Sequence, residues 1–100
     1  MKDGVFFINT ARGAIVNEDA LIEALKSGKV SRAGLDAFPD EPNVNPFLRE
    51  SEKVVLQPHL GGSTDVAFQK AEKECFENIR AFFKDGRPLS PVIEIESRNL

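Results

Sequence analysis

Val5-Phe6-Phe7-Ile8, running into Asn9-Thr10-Ala11-Arg12-Gly13, is the stretch on which the fold of this chain turns. Four consecutive apolar residues rich in β-formers, without alternation, read as a buried strand, and the polar residues after them stop it at Asn9. A strand buried on both faces belongs in a parallel sheet, where ligands bind just beyond the carboxyl ends of the strands. Arg12, three residues past that end, is therefore the first candidate for chemistry.

Downstream, Asn17 can cap a helix whose first turn holds Glu18 and Asp19, whose apolar residues Leu21, Ala24 and Leu25 recur at helical spacing, and which Gly28 ends. Ala33 to Phe38 forms a weaker strand pattern. Pro39, Pro42 and Pro46 then argue for an irregular loop, because proline fixes φ and lacks an N–H. Val54-Val55-Leu56 is a third short apolar run, closed by Gln57-Pro58-His59, and Gly61-Gly62-Ser63-Thr64 offers a turn and a helix cap. From Asp65 to Phe83 the residues Phe68, Ala71, Cys75, Ile79 and Phe82 mark one helix face, read as core, until Asp85-Gly86-Arg87-Pro88 stops the helix. The order strand, helix, strand, strand, long helix predicts a mostly parallel α/β sheet covered on both faces, of which three strands are only a part. No internal repeat or low-complexity tract interrupts it.

Composition excludes several function classes. With 41% hydrophobic and 29% charged residues the chain is ordinary globular material. A net charge of −3, from 16 acids against 13 bases with no basic run, offers no footprint for nucleic acid. No apolar stretch approaches the roughly 20 residues that span a bilayer. Cys75 is the only cysteine, so no intrachain disulfide is possible, and no signal-peptide pattern is present; a reducing, cytosolic setting is expected. No metal site is assigned.

Each apolar run ends in or just before an ionisable group: Arg12 after the first, Asp36 in the second with Glu41 five residues on, and His59, the only histidine, after the third. Taken singly, each has a plain structural reading. His59 suits a solvated strand end, Arg12 a turn before Gly13, Glu41 a loop acid between Asp40 and Pro42, and Asp36 a cap for backbone N–H groups. If the strands are parallel, all four converge on one edge.

Four segments, in order, resemble the second half of the cofactor domain of the D-isomer-specific 2-hydroxyacid dehydrogenases. They are Asn9 to Gly13, Leu21 to Lys29, Ala33 to Pro42, and Pro58 to Gly62, and the resemblance extends from about Met1 to Pro91. It implies an incomplete Rossmann-type parallel sheet with flanking helices: residues 1–88 as a partial dinucleotide-binding domain, and residues 89–100 as a tail returning toward a separate substrate domain. It also implies a reductase of 2-oxo acids that uses NAD or NADP, glyoxylate or hydroxypyruvate reductase-like, with Arg12, Glu41 and His59 as the catalytic set. Formate dehydrogenases of the same superfamily carry glutamine where Glu41 stands, which argues against that branch.

The chemistry suits those assignments. Hydride delivered to a carbonyl carbon leaves negative charge on the oxygen, so a proton donor and a fixed positive group are needed beside it. His59 would donate, Glu41 would hold its ring, and Arg12 would grip the substrate carboxylate with its planar fork of donors. By resemblance, Asp36 would accept from the nicotinamide carboxamide. Thr10, Ala11, Gly61 and Gly62 would let backbone approach the ring, with Arg12 and His59 touching both cofactor and substrate.

The seven glycines, at 4, 13, 28, 34, 61, 62 and 86, form no G-x-G-x-x-G, and the acidic residue for the ribose is missing as well. The 100 residues are therefore expected to be a fragment, inactive alone and weak in binding NAD(P)H, with an apolar sheet edge prone to associate. Relatives commonly dimerise through this domain, so a homodimer is implied for the parent. An NAD(H)-sensing interaction protein, like the corepressors built on the same fold, is the alternative.

Overall fold

The computed structural model describes residues 1–91. The chain divides into two compact units, residues 1–62 and the residues from Ser63 onward. Residues 92–100, most of the expected tail, lie outside the described residues.

In the first unit, strands β1 (Val5–Asn9), β2 (Val30–Leu35) and β3 (Val54–Leu56) form a parallel sheet in the order β1-β2-β3. The register pairs Asn9 with Leu35 and Leu35 with Leu56, so the three carboxyl ends finish level with one another. That alignment is what carries the loops after each strand to a common rim.

Helix α1 (Glu18–Ser27) crosses from β1 to β2, and its ends are fixed as the sequence implies. The Asn17 side chain accepts the Ala20 N–H at 3.0 Å, and Gly28 takes the left-handed φ of 80° that ends the helix without a Cβ penalty. Lys53 Nζ donates to the otherwise unpaired Leu25 carbonyl at 3.2 Å, tying the end of α1 to the start of β3. Leu21, Ile22 and Leu25 pack against Val30, Ala33, Leu35, Phe38 and Leu48 to make the core. Leu25, Val30 and Leu48 are sealed from solvent, each burial of an aliphatic side chain contributing roughly 1.5–3 kcal/mol.

Three expectations need correction. Strand β2 begins at Val30, two residues after the left-handed Gly28, and ends at Leu35 rather than Phe38. The Asp36 N–H still donates to the Asn9 carbonyl, but the Asp36 side chain turns to another loop and the Phe38 N–H is taken by the Glu41 carboxylate. The proline-rich loop is not wholly irregular: a short helix α2 (Pro46–Glu50) starts with Pro46 in its first turn, where the missing N–H has no intrahelical partner to lose, and the Asn45 side chain accepts the Phe47 N–H. Within the first unit only one sheet face is covered. Phe6, Ile8 and Val55 point to the other face and are about 70% exposed, at 74%, 72% and 68%.

The second unit is built on helix α3 (Asp65–Asp85), capped by the Thr64 hydroxyl, which accepts the Ala67 N–H, and stopped by the left-handed Gly86. The stripe read as core is exposed at Phe68, Ile79 and Phe82. Apolar periodicity identifies the face that favours burial, and nothing in the periodicity itself supplies a surface to bury it. No helix among the described residues is long and apolar enough to cross a membrane.

Candidate functional site

Each loop leaving the aligned strand ends is held by polar contacts. After β1, the Asn9 side chain, 5% exposed, works in both directions: its Oδ1 accepts the Ala11 N–H at 3.0 Å and its Nδ2 donates to the Arg12 carbonyl at 2.9 Å. Such an Asx-type clamp gives the backbone local partners where the ladder stops. Gly13 then lies against the next loop so closely that a Cβ there would run into the Phe38 carbonyl and the Pro39 nitrogen. The Arg12 segment is thus fixed on both sides. Its guanidinium Nη1 donates to the Ala11 carbonyl at 2.7 Å and otherwise faces outward.

After β2 the chain turns at Asp40, whose carbonyl accepts the Asn43 N–H at 2.7 Å and whose side chain accepts from Asn43 Nδ2 at 3.1 Å. Glu41 sits in that turn and folds back. Its Oε1 accepts the Phe38 N–H at 3.0 Å, and its two oxygens lie 3.0 and 2.9 Å from Nδ1 of His59. The Phe38 N–H, then the His59 ring, hold the Glu41 carboxyl below the ordinary carboxylate range, the charges of His59 and Arg12 adding to the effect against partial burial. Both side chains stay partly open to solvent, at 43% for His59 and 37% for Glu41.

After β3, Gln57 N–H donates to the Leu35 carbonyl at 2.9 Å, and His59 adopts a φ of 57°, the left-handed region that costs an L-residue roughly 1–2 kcal/mol. Asp36 supplies the compensation. Its carboxylate, 3% exposed, accepts the Leu60 N–H on one oxygen and the Gly61 N–H on the other, each at 2.7 Å. Hydrogen bonds to a charged group contribute about 1.5–3 kcal/mol each, so the pair outweighs the backbone cost.

The parallel register therefore brings Arg12, Asp36, Glu41 and His59 to one rim, as the convergence of strand ends implies. His59 and Glu41 are directly bonded; Arg12 makes no ion pair with either, though its charge reaches Glu41. With Nδ1 engaged, the imidazole has Nε2 left for another partner. Asp36 does cap backbone N–H groups, though those of the β3 loop. Gly61 is required there, since a Cβ would come within 2.8 Å of Asp36 Oδ2, whereas a Cβ on Gly62 would meet open space.

Two clefts flank the rim. One, of about 290 Å³, runs beside the Glu41 and His59 pair and is walled by Phe38, Val44, Leu56 and Pro58. The other, of about 200 Å³, lies over the exposed sheet face between Ile8, Thr10, Gly34, Asp36, Val55 and Gln57. Its floor is apolar, and it holds a single carboxylate, that of Asp36. Nothing among the described residues offers the glycine-rich cradle that a pyrophosphate needs. Asn9 and Gly13 carry no assignment from sequence, although an asparagine at the end of a buried strand is a legible Asx-turn signal.

Residues 1–61 match the model of the D-isomer specific 2-hydroxyacid dehydrogenase, NAD binding domain. Over 95 residues the chain is 62% identical to the dehydrogenase efuE of Hormonema carpetanum, covering 95% of this chain and 24% of that protein. A glyoxylate reductase from Paecilomyes thermophila superposes with a TM-score of 0.81 at 42% identity, covering 94% of this chain and 29% of that one. An NADPH-dependent glyoxylate/hydroxypyruvate reductase from Sinorhizobium meliloti, solved with NADP and malonate, superposes with a TM-score of 0.76 at 36% identity, covering 91% and 28%. The chain thus spans 24% to 29% of the length of these relatives.

Proposed function

Since this chain belongs to the D-isomer specific 2-hydroxyacid dehydrogenase family, we propose that it carries the acid-base and carboxylate-binding part of an NAD(P)H-dependent reductase of small 2-oxo acids. The observation that supports this most is the Glu41 and His59 hydrogen bond at the strand rim that also holds Arg12. Glyoxylate and hydroxypyruvate are the substrates of choice, since structurally similar relatives are a glyoxylate reductase and a glyoxylate/hydroxypyruvate reductase.

The reduced nicotinamide, when bound, supplies hydride. Arg12 holds the carboxylate of the 2-oxo acid in a two-pronged grip and places positive charge beside the carbonyl. His59 donates a proton from Nε2 to the carbonyl oxygen as charge gathers there. Glu41 keeps the ring in place and stabilises its protonated form through Nδ1. Asp36 and Thr10, which line the cleft over the sheet face, would hold the cofactor's amide end. Ala11, Gly61 and Gly62 would allow close backbone approach, and Arg12 and His59 would border it.

The phosphate-binding half comes from residues beyond these 100, as the coverage of relatives and the missing glycine loop both suggest. The reading includes a homodimeric parent in a reducing, cytosolic compartment, with Cys75 as a free thiol. NADH and NADPH oxidation is measured with glyoxylate and hydroxypyruvate, both for the 100-residue chain and for the polypeptide that joins it to a glycine-rich half. Turnover by the longer polypeptide alone is expected. Robust turnover by the short chain refutes the fragment reading, and none by either refutes the reductase.

A further inference from the structure

We propose that Asp36 is the positioning residue for His59. Its buried carboxylate holds the β3 loop in the one backbone conformation that delivers Nδ1 to Glu41. As a statement about catalysis this rests on the reading of His59 as proton donor; as a statement about geometry it stands by itself.

The loop that carries His59 is sewn to the end of β2 at two places, and the histidine lies between them. On its N-terminal side Gln57 N–H donates to the Leu35 carbonyl at 2.9 Å. On its C-terminal side the Leu60 and Gly61 N–H groups donate to the two oxygens of Asp36 at 2.7 Å each. The second anchor is the stronger, because its acceptor is ionised and shielded, with Asp36 only 3% exposed. Asp36 is itself fixed by the sheet, its own N–H donating to the Asn9 carbonyl at 3.0 Å.

His59 alone among the non-glycine residues described has a positive φ, and a bound conformation of that kind persists only where surrounding contacts dictate it. Two consecutive N–H groups pulled onto one carboxylate immediately after residue 59 are such contacts. Gly61 belongs to the device: a Cβ there would sit 2.8 Å from Asp36 Oδ2 and prise the pair apart. Both oxygens of Asp36 are thus engaged within the chain, so a carboxamide bound there adds a third partner to a carboxylate that already controls the His59 loop.

The ring of His59 reports on this directly, since it is the only histidine and gives one set of nitrogen resonances. In the neutral ring, pairing of Nδ1 with Glu41 selects the Nδ1–H tautomer, whereas a released imidazole favours Nε2–H. Ring-nitrogen NMR of the 100-residue chain is recorded for wild type, Asp36→Asn, Gly61→Ala, and Glu41→Ala as the released reference. Wild type is expected to hold the Nδ1–H form, with Asp36→Asn and Gly61→Ala both moving toward the Glu41→Ala spectrum. Folded Asp36→Asn protein that keeps the wild-type ring shifts overturns the proposal. If Asp36→Asn does not fold, Gly61→Ala, which retains the carboxylate, decides by the same criterion. A wild-type ring already in the Nε2–H form contradicts the Glu41 pairing itself, and with it the proposed function, which separates the two failures.

Discussion

One oxygen of Glu41 serves two elements at once: Oε1 accepts the Phe38 N–H at 3.0 Å and lies 3.0 Å from Nδ1 of His59, while Oε2 lies 2.9 Å from the same nitrogen. The carboxylate is both a clamp on its own turn and a partner for the imidazole. Glutamine at 41 keeps an acceptor for the Phe38 N–H and removes the charge. Glu41→Gln is therefore expected to leave the midpoint of urea unfolding close to that of wild type. In the complete reductase it should lower kcat by about 100-fold, within the range that positioned acid-base groups contribute.

The lowered pKa of Glu41 has a definite consequence in acid. A carboxyl whose folded pKa lies below the unfolded value of about 4.3 stabilises the fold above that value and loses its contribution as pH falls through the folded one. The Phe38 amide and the Glu41 carboxyl resonances should thus titrate together, with a midpoint below the usual carboxylate range. A midpoint at or above about 4.3 would place the carboxyl outside the clamp.

Arg12 tests the carboxylate grip. Arg12→Lys keeps the charge and loses the fork, so the KM for glyoxylate in the complete reductase should rise by roughly 10-fold to 100-fold, the equivalent of one charge-assisted hydrogen bond. Because the Arg12 side chain bonds only to the Ala11 carbonyl among the described residues, thermal stability should hardly move.

Gly13→Ala probes how the first two loops are held together. The added methyl meets backbone atoms of Phe38 and Pro39, which cannot swing aside as a side chain would. A loss of about 1–3 kcal/mol or more in chemical denaturation is expected, together with altered amide shifts near Glu41. A Gly28→Ala control also destabilises, through its left-handed φ of 80°, but meets no neighbouring atom and leaves the Glu41 amide region unchanged.

Local signals in the sequence carried far where structure is set locally. Asn17 and Gly28 bound α1, Thr64 and Gly86 bound α3, and Val5 to Ile8 and Val54 to Leu56 lie in strands, because caps, left-handed glycines and apolar runs act within a few residues. What escaped depends on distant partners. The end of β2 falls short of the apolar pattern because the Asp36 side chain binds Leu60 and Gly61, 24 and 25 residues away, and the Phe38 N–H goes to Glu41 instead of a neighbouring strand. Helix α2 escaped because proline was weighed as a breaker when Pro46 occupies the first turn, where it is tolerated. The α3 stripe reads as core from period alone, yet Phe68, Ile79 and Phe82 are exposed. The convergence of Arg12, Glu41 and His59 was legible because parallel strands with level ends leave their loops nowhere else to go.

The most direct measurement is steady-state NADPH oxidation with glyoxylate by the complete reductase carrying His59→Gln, alongside cofactor binding by fluorescence titration. A fall in kcat of about 100-fold to 10,000-fold, far exceeding any loss of cofactor affinity, is the expected result, since the substitution removes the proton donor and leaves Asp36 and Thr10 of the amide-binding cleft in place. Turnover within a few-fold of wild type would contradict the role assigned to His59.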